Sequence, residues 1–241
     1  MKFTNFTDYK NKFKLTLTDK PVVTPPSFGG TGGGGGGGIS GGVITGTPID
    51  NTVTQRFSDV PLEHWSYEYV EALFLAGIIT GYPDGSFAPE NSVTRAEFTK
   101  MLLAALGINI SDSTDDYFSD VTKDDWFAPY VNTAKKMGIV SGISETEFAP
   151  NMEITREQMM VIALNSLKSL DIAIETTPNT TFSDAEEISD WALTAVATMQ
   201  RHAIMNGSDG KAYPKATAKR SEAAKIIKLI KDFTLRVSLS Q

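Results

Sequence analysis

The chain has 241 residues, a net charge of −7 at pH 7 and no cysteine. The negative charge argues against nucleic-acid binding through a general basic surface, and the absence of cysteine excludes disulfides and thiolate metal sites. No run of roughly 18 apolar residues occurs, so the sequence predicts no membrane-spanning helix.

The first 20 residues predict a short β-strand. Phe13, Leu15 and Leu17 alternate with polar residues, which places them on one face of an extended segment. A single strand cannot bury that face, so residues 1–20 are predicted to be the remnant strand of an upstream β-domain, or a tail. The segment also lacks the apolar core of a secretory signal, so we expect either an internal protein or the tail of a longer exported one.

A linker is predicted at residues 21–55. Prolines mark its beginning, and an unbroken glycine run extends from Gly32 to Gly38. A phosphate-binding loop is the alternative, but such loops lie between a strand and a helix and carry a Lys-Ser/Thr pair, and both features are missing. The composition is instead typical of a flexible, disordered linker.

The rest of the chain repeats one pattern three times. Each copy contains an aromatic-Ser-Asp segment, a tryptophan, a glycine before a turn, and an arginine at a helix start. The recurring arginines, Arg95, Arg156 and Arg220, are 61 and 64 residues apart. This near-constant spacing indicates one supersecondary unit used three times, at residues 56–110, 117–170 and 181–237.

Two helices are predicted in each repeat, because apolar residues recur at helical spacing after each tryptophan and after each arginine. The predicted helices cover residues 67–76, 94–106, 129–137, 155–169, a segment ending at 202, and 217–237. Short extended pieces and polar connectors separate them. The sequence therefore predicts a mainly α fold of helix-loop-helix repeats.

The arginine that begins each second helix is the most informative residue of the pattern. Capping boxes explain its neighbours, since they pair Thr94 with Glu97 and Thr155 with Gln158. They do not explain Arg95, Arg156 and Arg220, because a cation at a helix N-terminus costs about 0.3–1 kcal/mol. Each guanidinium either pairs with an acid of a neighbouring repeat or binds a carboxylate ligand through its planar fork of donors.

Each repeat places a tryptophan at the same position, namely Trp65, Trp126 and Trp191. One interpretation is a core anchor that fills the centre of each unit. The other is a partly exposed ring that lines a groove and packs on a sugar face.

An aspartate and a glycine also recur in every repeat. Asp59, Asp120 and Asp184 either cap the turn that follows them or bind a ligand hydroxyl. Gly81, Gly142 and Gly207 are predicted to adopt positive φ beyond a helix end, and could also bring a main-chain N–H close to a ligand.

Catalytic chemistry is poorly supported. The two histidines, His64 and His202, occupy non-equivalent repeat positions, so a histidine metal centre is not predicted. No serine lies in a nucleophile-elbow setting, and no carboxylate pair is identifiable as an acid/base dyad. We therefore predict a non-enzymatic protein without metal or cofactor.

The first repeat combines Phe57-Ser58-Asp59-Val60, Trp65, the segment from Gly77 to Pro89, and Val93-Thr94-Arg95-Ala96-Glu97. This combination resembles the S-layer homology domain, and three tandem copies cover roughly three-quarters of the chain. The resemblance implies a pseudo-threefold arrangement of the repeats around a central helical bundle, with grooves between them. It also implies non-covalent attachment of an exported protein to secondary cell-wall polysaccharide, commonly through a sugar that carries a pyruvate ketal.

The resemblance further implies that the arginines hold the acidic group and that the other recurring residues line the grooves. The predicted ligand-binding residues are Asp59, Trp65, Gly81, Arg95, Asp120, Trp126, Gly142, Arg156, Asp184, Trp191, Gly207 and Arg220.

The second and third repeats depart from the pattern. Residues Ile143–Glu147 replace the turn of repeat 1 and bring two acids near an anionic ligand. In repeat 3, Ala203 replaces a glycine and Lys219 replaces the threonine cap. We therefore expect the Arg95 site to be the most competent and the Arg220 site to be weakened or vestigial.

The function predicted from the sequence is anchoring of an exported protein at a bacterial cell wall or surface layer, through a pyruvylated secondary cell-wall polysaccharide. One alternative is a surface-layer assembly module that acts through protein–protein contacts. Another is the C-terminal anchor of a larger surface hydrolase or scaffold, whose upstream domain would be a further partner.

Overall fold

The computed structural model of the protein describes residues 55–110 and 117–240. The predicted strand at 13–17 and the glycine-rich linker lie outside the described residues, as does part of the connector between the first two repeats. Residues Gln55–Gln241 form one compact unit, which contains all three predicted repeats.

Six α-helices make up most of the regular structure. They are α1 (Tyr67–Leu75), α2 (Arg95–Ala105), α3 (Ala128–Lys136), α4 (Arg156–Ser169), α5 (Asp190–Arg201) and α6 (Arg220–Leu239). A short 3₁₀ turn at Ala185–Glu187, which the sequence analysis did not predict, precedes α5. The mainly α fold class is confirmed, since the described ranges contain only isolated β-bridges besides these helices.

The predicted capping boxes are present at α2 and α4. The Thr94 hydroxyl accepts a hydrogen bond from the N–H of Glu97, and the Glu97 carboxylate accepts one from the N–H of Thr94. At α6 the cap is Lys219, whose ammonium cannot accept a hydrogen bond. Only the return bond remains there, from the N–H of Lys219 to Glu222 at 3.0 Å.

The second helices of the three repeats pack together at the centre. Helices α2, α4 and α6 contact one another, while each first helix packs on the second helix of the preceding repeat. Leu102, Ala163 and Ile227 occupy equivalent positions on the central helices and are buried. Because α1 packs on α6, repeat 3 contacts repeat 1, and the expected pseudo-threefold arrangement closes into a ring.

A cycle of main-chain hydrogen bonds lies where the extended segments before the central helices meet. The N–H of Val93 donates to the carbonyl of Ala218 at 3.0 Å, and the N–H of Ala218 donates to Ile154 at 2.9 Å. The N–H of Ile154 donates to the carbonyl of Val93 at 3.0 Å, which closes the cycle. Each repeat thus donates one bond to a neighbour and accepts one from the other neighbour.

The first N–H groups of the central helices also bond to a neighbouring repeat. Such groups have no partner inside their own helix. In α2, the N–H of Arg95 donates to Met152 at 2.9 Å and that of Ala96 donates to Pro150 at 3.0 Å. Helices α4 and α6 repeat this arrangement, so the arginine position is fixed by inter-repeat main-chain bonds.

The predicted positive φ is wrong for Gly81 and Gly142 and correct for Gly207, whose φ is +68°. The left-handed residues that follow the first helices are Gly77, Gly138 and Ala203 instead. The positive φ therefore lies about one turn before Gly81 and Gly142, where a different constraint requires glycine.

Candidate functional site: three inter-repeat grooves

Three grooves surround the central bundle, and every groove is built from all three repeats. We name them after their tryptophans. The Trp126 groove contains Gly81 and Arg220, the Trp191 groove contains Gly142 and Arg95, and the Trp65 groove contains Gly207 and Arg156. In each case the glycine comes from one repeat, the tryptophan from the next and the arginine from the preceding one, taken around the ring.

The grooves differ in size. The Trp191 groove has a volume of about 500 Å³, compared with about 310 Å³ for the Trp126 groove and about 300 Å³ for the Trp65 groove. Volumes of 300–1,000 Å³ are typical of pockets that bind small molecules, so each groove has room for a sugar residue.

Each recurring arginine is held by main-chain carbonyl groups of a neighbouring repeat. The Nε of Arg95 donates to Phe148 O at 2.8 Å, and its Nη2 donates to Ser141 O at 2.9 Å. The equivalent Nε bonds run from Arg156 to Ala212 at 2.8 Å and from Arg220 to Phe87 at 3.0 Å. These bonds fix the plane of each guanidinium before any ligand arrives.

Two of the three arginines face an acid. Arg220 lies 3.7 Å from the carboxylate of Glu97, and Arg156 forms a close ion pair with Glu222. The ion-pair interpretation of the sequence is thus confirmed for these two residues, although both still line a groove. In the Trp191 groove the equivalent position is Gln158, so Arg95 has a neutral amide where the others have a carboxylate.

Burial affects the charge of Arg95. Its side chain is largely removed from water, and this desolvation lowers its pKa, while the nearby Asp120 carboxylate opposes the change by raising it. Arginine still remains protonated in proteins. The Trp191 groove therefore presents a buried positive charge with no carboxylate at the capping-box position.

The tryptophans are surface residues, so the core-anchor interpretation is wrong. Trp65 and Trp126 are each 51% exposed, and Trp191 is 59% exposed. The interior is filled instead by residues such as Phe57 and Phe98. The three rings are partly exposed and line the grooves, while packing on a sugar face stays a prediction.

A lysine that the sequence analysis missed lies over the tryptophan in two of the grooves. The Nζ of Lys100 is 5.2 Å from the centre of the Trp126 ring, and the Nζ of Lys225 is 5.9 Å from the Trp65 ring. Each follows the recurring arginine by five residues, and that offset is the signal that could have revealed them. The Trp191 groove has Val161 at this position.

The recurring aspartates bind the main chain of their own repeat. In repeat 1, the two carboxylate oxygens of Asp59 accept from Phe87 N at 2.8 Å and from Ala88 N at 2.7 Å. The same pairs of bonds recur at Asp120 and Asp184. None of the three lines the described grooves, and a direct contact with a ligand stays a prediction.

Each of these aspartates supports a left-handed residue. The second N–H that each one accepts belongs to Ala88, Ala149 or Tyr213, whose φ values are 55°, 57° and 48°. Burial of Asp184 works to raise its pKa, but the bonds from Ala212, Tyr213 and its own N–H, together with the charge of Lys211, leave the pKa lowered. The carboxylates thus stabilise the loop whose carbonyl holds the arginine.

The groove glycines are required by close contacts. A Cβ on Gly81 would lie 2.3 Å from the Phe57 ring and 2.6 Å from Ser86 O. A Cβ on Gly142 would lie 2.3 Å from Ser144 O. These clashes explain glycine at positions where φ does not demand it, because a Cβ would collide with the ring and the main chain of the same repeat.

Other kinds of site are not found in residues 55–110 and 117–240. These ranges hold no cluster of histidine and acidic side chains suited to a metal ion. Among the described helices, none is sufficiently long and apolar to traverse a bilayer.

Comparison with known proteins identifies the repeats. A family model of the S-layer homology domain matches residues 56–99, 117–160 and 181–224, which together are more than half of the chain. The chain belongs to the S-layer homology domain family. Each matched segment runs from the aromatic-Ser-Asp motif to just beyond the arginine, so it contains the recurring tryptophan, glycine and arginine of one repeat.

Similar proteins include surface-layer proteins and polysaccharide-degrading enzymes. The chain is 40% identical over 176 residues to an amylopullulanase of Thermoanaerobacterium thermosulfurigenes, and 37% identical over 190 residues to exoglucanase XynX of Acetivibrio thermocellus. It is 29% identical over 178 residues to S-layer protein EA1 of Bacillus anthracis. These alignments cover 72%, 77% and 73% of the chain but only 9%, 17% and 20% of the relatives.

The matched region is therefore a module that proteins of different activity share. Because enzymes and surface-layer proteins match over the same repeats, the similarity indicates a binding and anchoring unit at the cell wall or cell surface. It gives no support to catalysis by these repeats.

Proposed function

We propose that the three repeats anchor a larger exported protein to the bacterial cell wall by binding an acidic, pyruvylated secondary cell-wall polysaccharide in the inter-repeat grooves. The observation that carries this proposal is the composition of each groove. A fixed guanidinium, a half-exposed indole and a glycine floor come together from three different repeats.

The guanidinium suits the acidic group of such a sugar. A pyruvate ketal carries one carboxylate, which a guanidinium can bind through two parallel N–H bonds. In Arg95, Nε and Nη2 donate to main-chain carbonyls, and the side chain lines the Trp191 groove. Since the chain carries a net charge of −7, recognition by a few fixed arginines is favoured over bulk attraction.

The indole suits the rest of the sugar. The apolar face of a pyranose packs against an aromatic ring, while its hydroxyl groups require polar partners. Gly81, Gly142 and Gly207 line the grooves, so their main-chain groups are the candidate polar partners. These residues, the tryptophans and the aspartates that fix the loops form the proposed binding set.

The grooves are expected to differ in affinity. In the Trp191 groove, Gln158 stands at the capping-box position, so an incoming carboxylate meets no capping-box acid beside Arg95. In the Trp126 groove, Glu97 competes for Arg220, and in the Trp65 groove Glu222 forms a closer ion pair with Arg156. We therefore rank the Arg95 site first. The degenerate motif of repeat 3 is the separate reason to rank the Arg220 site as weakened.

Cosedimentation with purified wall sacculi tests the proposed function. We expect the protein to pellet with intact sacculi, and to remain in the supernatant when the wall polymer or its pyruvate groups have been removed chemically. Binding that persists after both treatments would instead support the assembly alternative, in which the repeats contact protein.

Calorimetric titration with purified wall polymer tests the ranking. Arg95→Ala is expected to weaken binding more than Arg220→Ala, and equal losses would refute the ranking. Because each arginine also holds the loop of a neighbouring repeat, Gln158→Glu is the better variant. It adds a competing acid opposite Arg95 and leaves the hydrogen bonds to Phe148 and Ser141 in place.

The chain aligns with only a small part of each relative, and this supports the proposal that it belongs to a larger parent protein. The chain spans about a tenth to a fifth of the three relatives described above. A hydrolase or scaffold domain elsewhere in the same protein would then be the cargo that the repeats attach to the wall.

A further inference from the structure

The three grooves are of two chemical types. Two of them place a lysine and a second aromatic residue beside the tryptophan, and the third has neither. In the Trp126 groove, Lys100 lies over Trp126 and also 5.5 Å from the ring of Tyr130. In the Trp65 groove, Lys225 lies over Trp65 and 6.0 Å from Tyr69. Two aromatic faces thus surround one ammonium group in each of these grooves.

The Trp191 groove lacks every part of this arrangement. Val161 stands where the lysine stands in the other two, and Ala195 stands where the tyrosine stands. Ala195 is buried, and Trp191 is the most exposed of the three tryptophans. The absence of the lysine also accords with the larger volume of this groove, about 500 Å³.

An ammonium group over an indole occupies the same electron-rich face that a sugar would use. Cation–π contacts of exposed lysines contribute roughly 0.5–1 kcal/mol, which corresponds to about a two- to fivefold effect on a binding constant. A sugar that stacks on Trp126 or Trp65 must first displace that lysine. In the Trp191 groove the equivalent position is Val161, which carries no ammonium group to displace.

We propose that a sugar face stacks most strongly in the Trp191 groove, because Lys100 and Lys225 occupy the tryptophan faces in the other two grooves. The residue five positions after each recurring arginine is then a specificity-determining residue of the groove that it lines. The inference rests on the proposed binding of an acidic sugar in these grooves. It adds which groove binds the apolar face of that sugar best and which grooves depend more on its charge.

The sequence offers a reporter for each groove, because the three tryptophans of the chain lie in three different grooves. Three variants of the full chain, each keeping one tryptophan and carrying phenylalanine at the other two positions, isolate the signals. The probe is a synthetic methyl hexoside with a 4,6-linked pyruvate ketal. Free pyruvate and the unmodified methyl hexoside are the control ligands, and calorimetry measures total binding in parallel.

We expect the ketal sugar to change the fluorescence of the Trp191 reporter at a concentration about two- to fivefold lower than the Trp65 and Trp126 reporters require. Val161→Lys should weaken the Trp191 response about two- to fivefold. Lys100→Val should strengthen the Trp126 response by a similar factor. Lys135→Val is the matched control, since the Nζ of Lys135 lies 5.2 Å from the Phe118 ring and outside the described grooves, and it should change no reporter.

Two failures can be told apart. If calorimetry detects binding but the unmodified Trp126 or Trp65 reporter responds as strongly as Trp191, the lysines do not compete with the sugar and the inference is wrong. The inference is equally wrong if binding occurs and the Trp191 reporter is silent. If calorimetry detects no binding of the ketal sugar by the wild-type chain, the proposed function itself fails.

Discussion

The N–H of Val93 in the first repeat donates to the carbonyl of Ala218 in the third, at 3.0 Å. This bond connects repeats that are far apart in the sequence and completes the cycle that runs through Ile154. Helix α1 packs on α6 for the same reason, because the repeat that begins the ring also meets the repeat that ends it. The unit is closed, which distinguishes it from an open stack of repeats that could be shortened without loss.

Closure predicts that the repeats cannot be separated. Deletion of residues 181–241 removes Trp191, Arg220 and Gly207, which belong to three different grooves. We expect this truncation to lose wall binding entirely and to replace the single thermal transition of the full chain with a broad, low one. Circular dichroism melting and sacculus cosedimentation measure the two effects. Retention of a sharp transition by the truncated chain would contradict the closed-ring interpretation.

Replacement of Arg95 by methionine should destabilise the unit even without ligand. Methionine fills similar space but leaves the carbonyls of Phe148 and Ser141 without their donors. An unsatisfied buried polar group costs roughly 1–3 kcal/mol, so we expect a loss of about 2–4 kcal/mol in urea unfolding. The same change at the exposed Arg236 of α6 is the matched control and should cost little. Equal effects at both positions would show that the guanidinium is not an inter-repeat contact.

Ala203→Gly should stabilise the unit. Ala203 has a φ of 55° at the position where repeats 1 and 2 use Gly77 and Gly138. Left-handed backbone costs a residue with a Cβ about 1–2 kcal/mol, and part of this gain is lost to the greater freedom of glycine in the unfolded chain. A net increase of about 0.5–1 kcal/mol in the free energy of unfolding is expected.

The reverse substitution, Gly138→Ala, is the internal check on this prediction. A Cβ at Gly138 meets nothing within 4 Å, so only the backbone conformation is tested. It should destabilise by an amount similar to the gain from Ala203→Gly. Two substitutions that shift stability in the same direction would refute the explanation.

Asp184 should contribute to acid unfolding. Its pKa is lowered in the folded protein from the ordinary value of 3.8, despite a burial effect that opposes the change, because it accepts two main-chain bonds. A depressed folded-state pKa gives stability that is complete well above pH 3.8 and is lost as the pH falls through the lower folded value. Asp184→Asn should therefore be less stable at neutral pH, and its stability should decline less between pH 5 and pH 3.

Chemical unfolding of both chains over that pH range measures the difference. Glu186→Gln is a suitable control, since this residue lies two positions away in the adjoining 3₁₀ turn. Parallel pH profiles for wild type and Asp184→Asn would show that the carboxylate bonds to Ala212 and Tyr213 contribute no linked stability.

Local chemistry explains why the helices were predictable. The box formed by Thr94 and Glu97 marks the beginning of α2 in the sequence alone, because it satisfies N–H groups within four residues. The beginning of α6 was predicted at residue 217, earlier than the observed Arg220, since Lys219 cannot act as a cap. Signals of this kind do not depend on the rest of the fold.

The composition of the grooves could not be predicted in the same way. Nothing near Trp191 in the sequence indicates that it faces Arg95 of another repeat, because that meeting depends on how the ring closes. The exposure of Trp126 was also undetermined, since a large aromatic residue suits a core and a groove equally well. Lys100 reads as an ordinary solvated lysine until Trp126 of the next repeat is placed beneath it.

The mixed origin of the grooves also gives the anchor a mechanical property. A sugar held in any groove would touch three repeats at once and would bridge the contacts between them. Ligand binding would then oppose separation of the repeats, since binding to the native state alone raises the free energy of unfolding. A protein attached to its wall in this way would resist heat and proteases better than the same protein released from it.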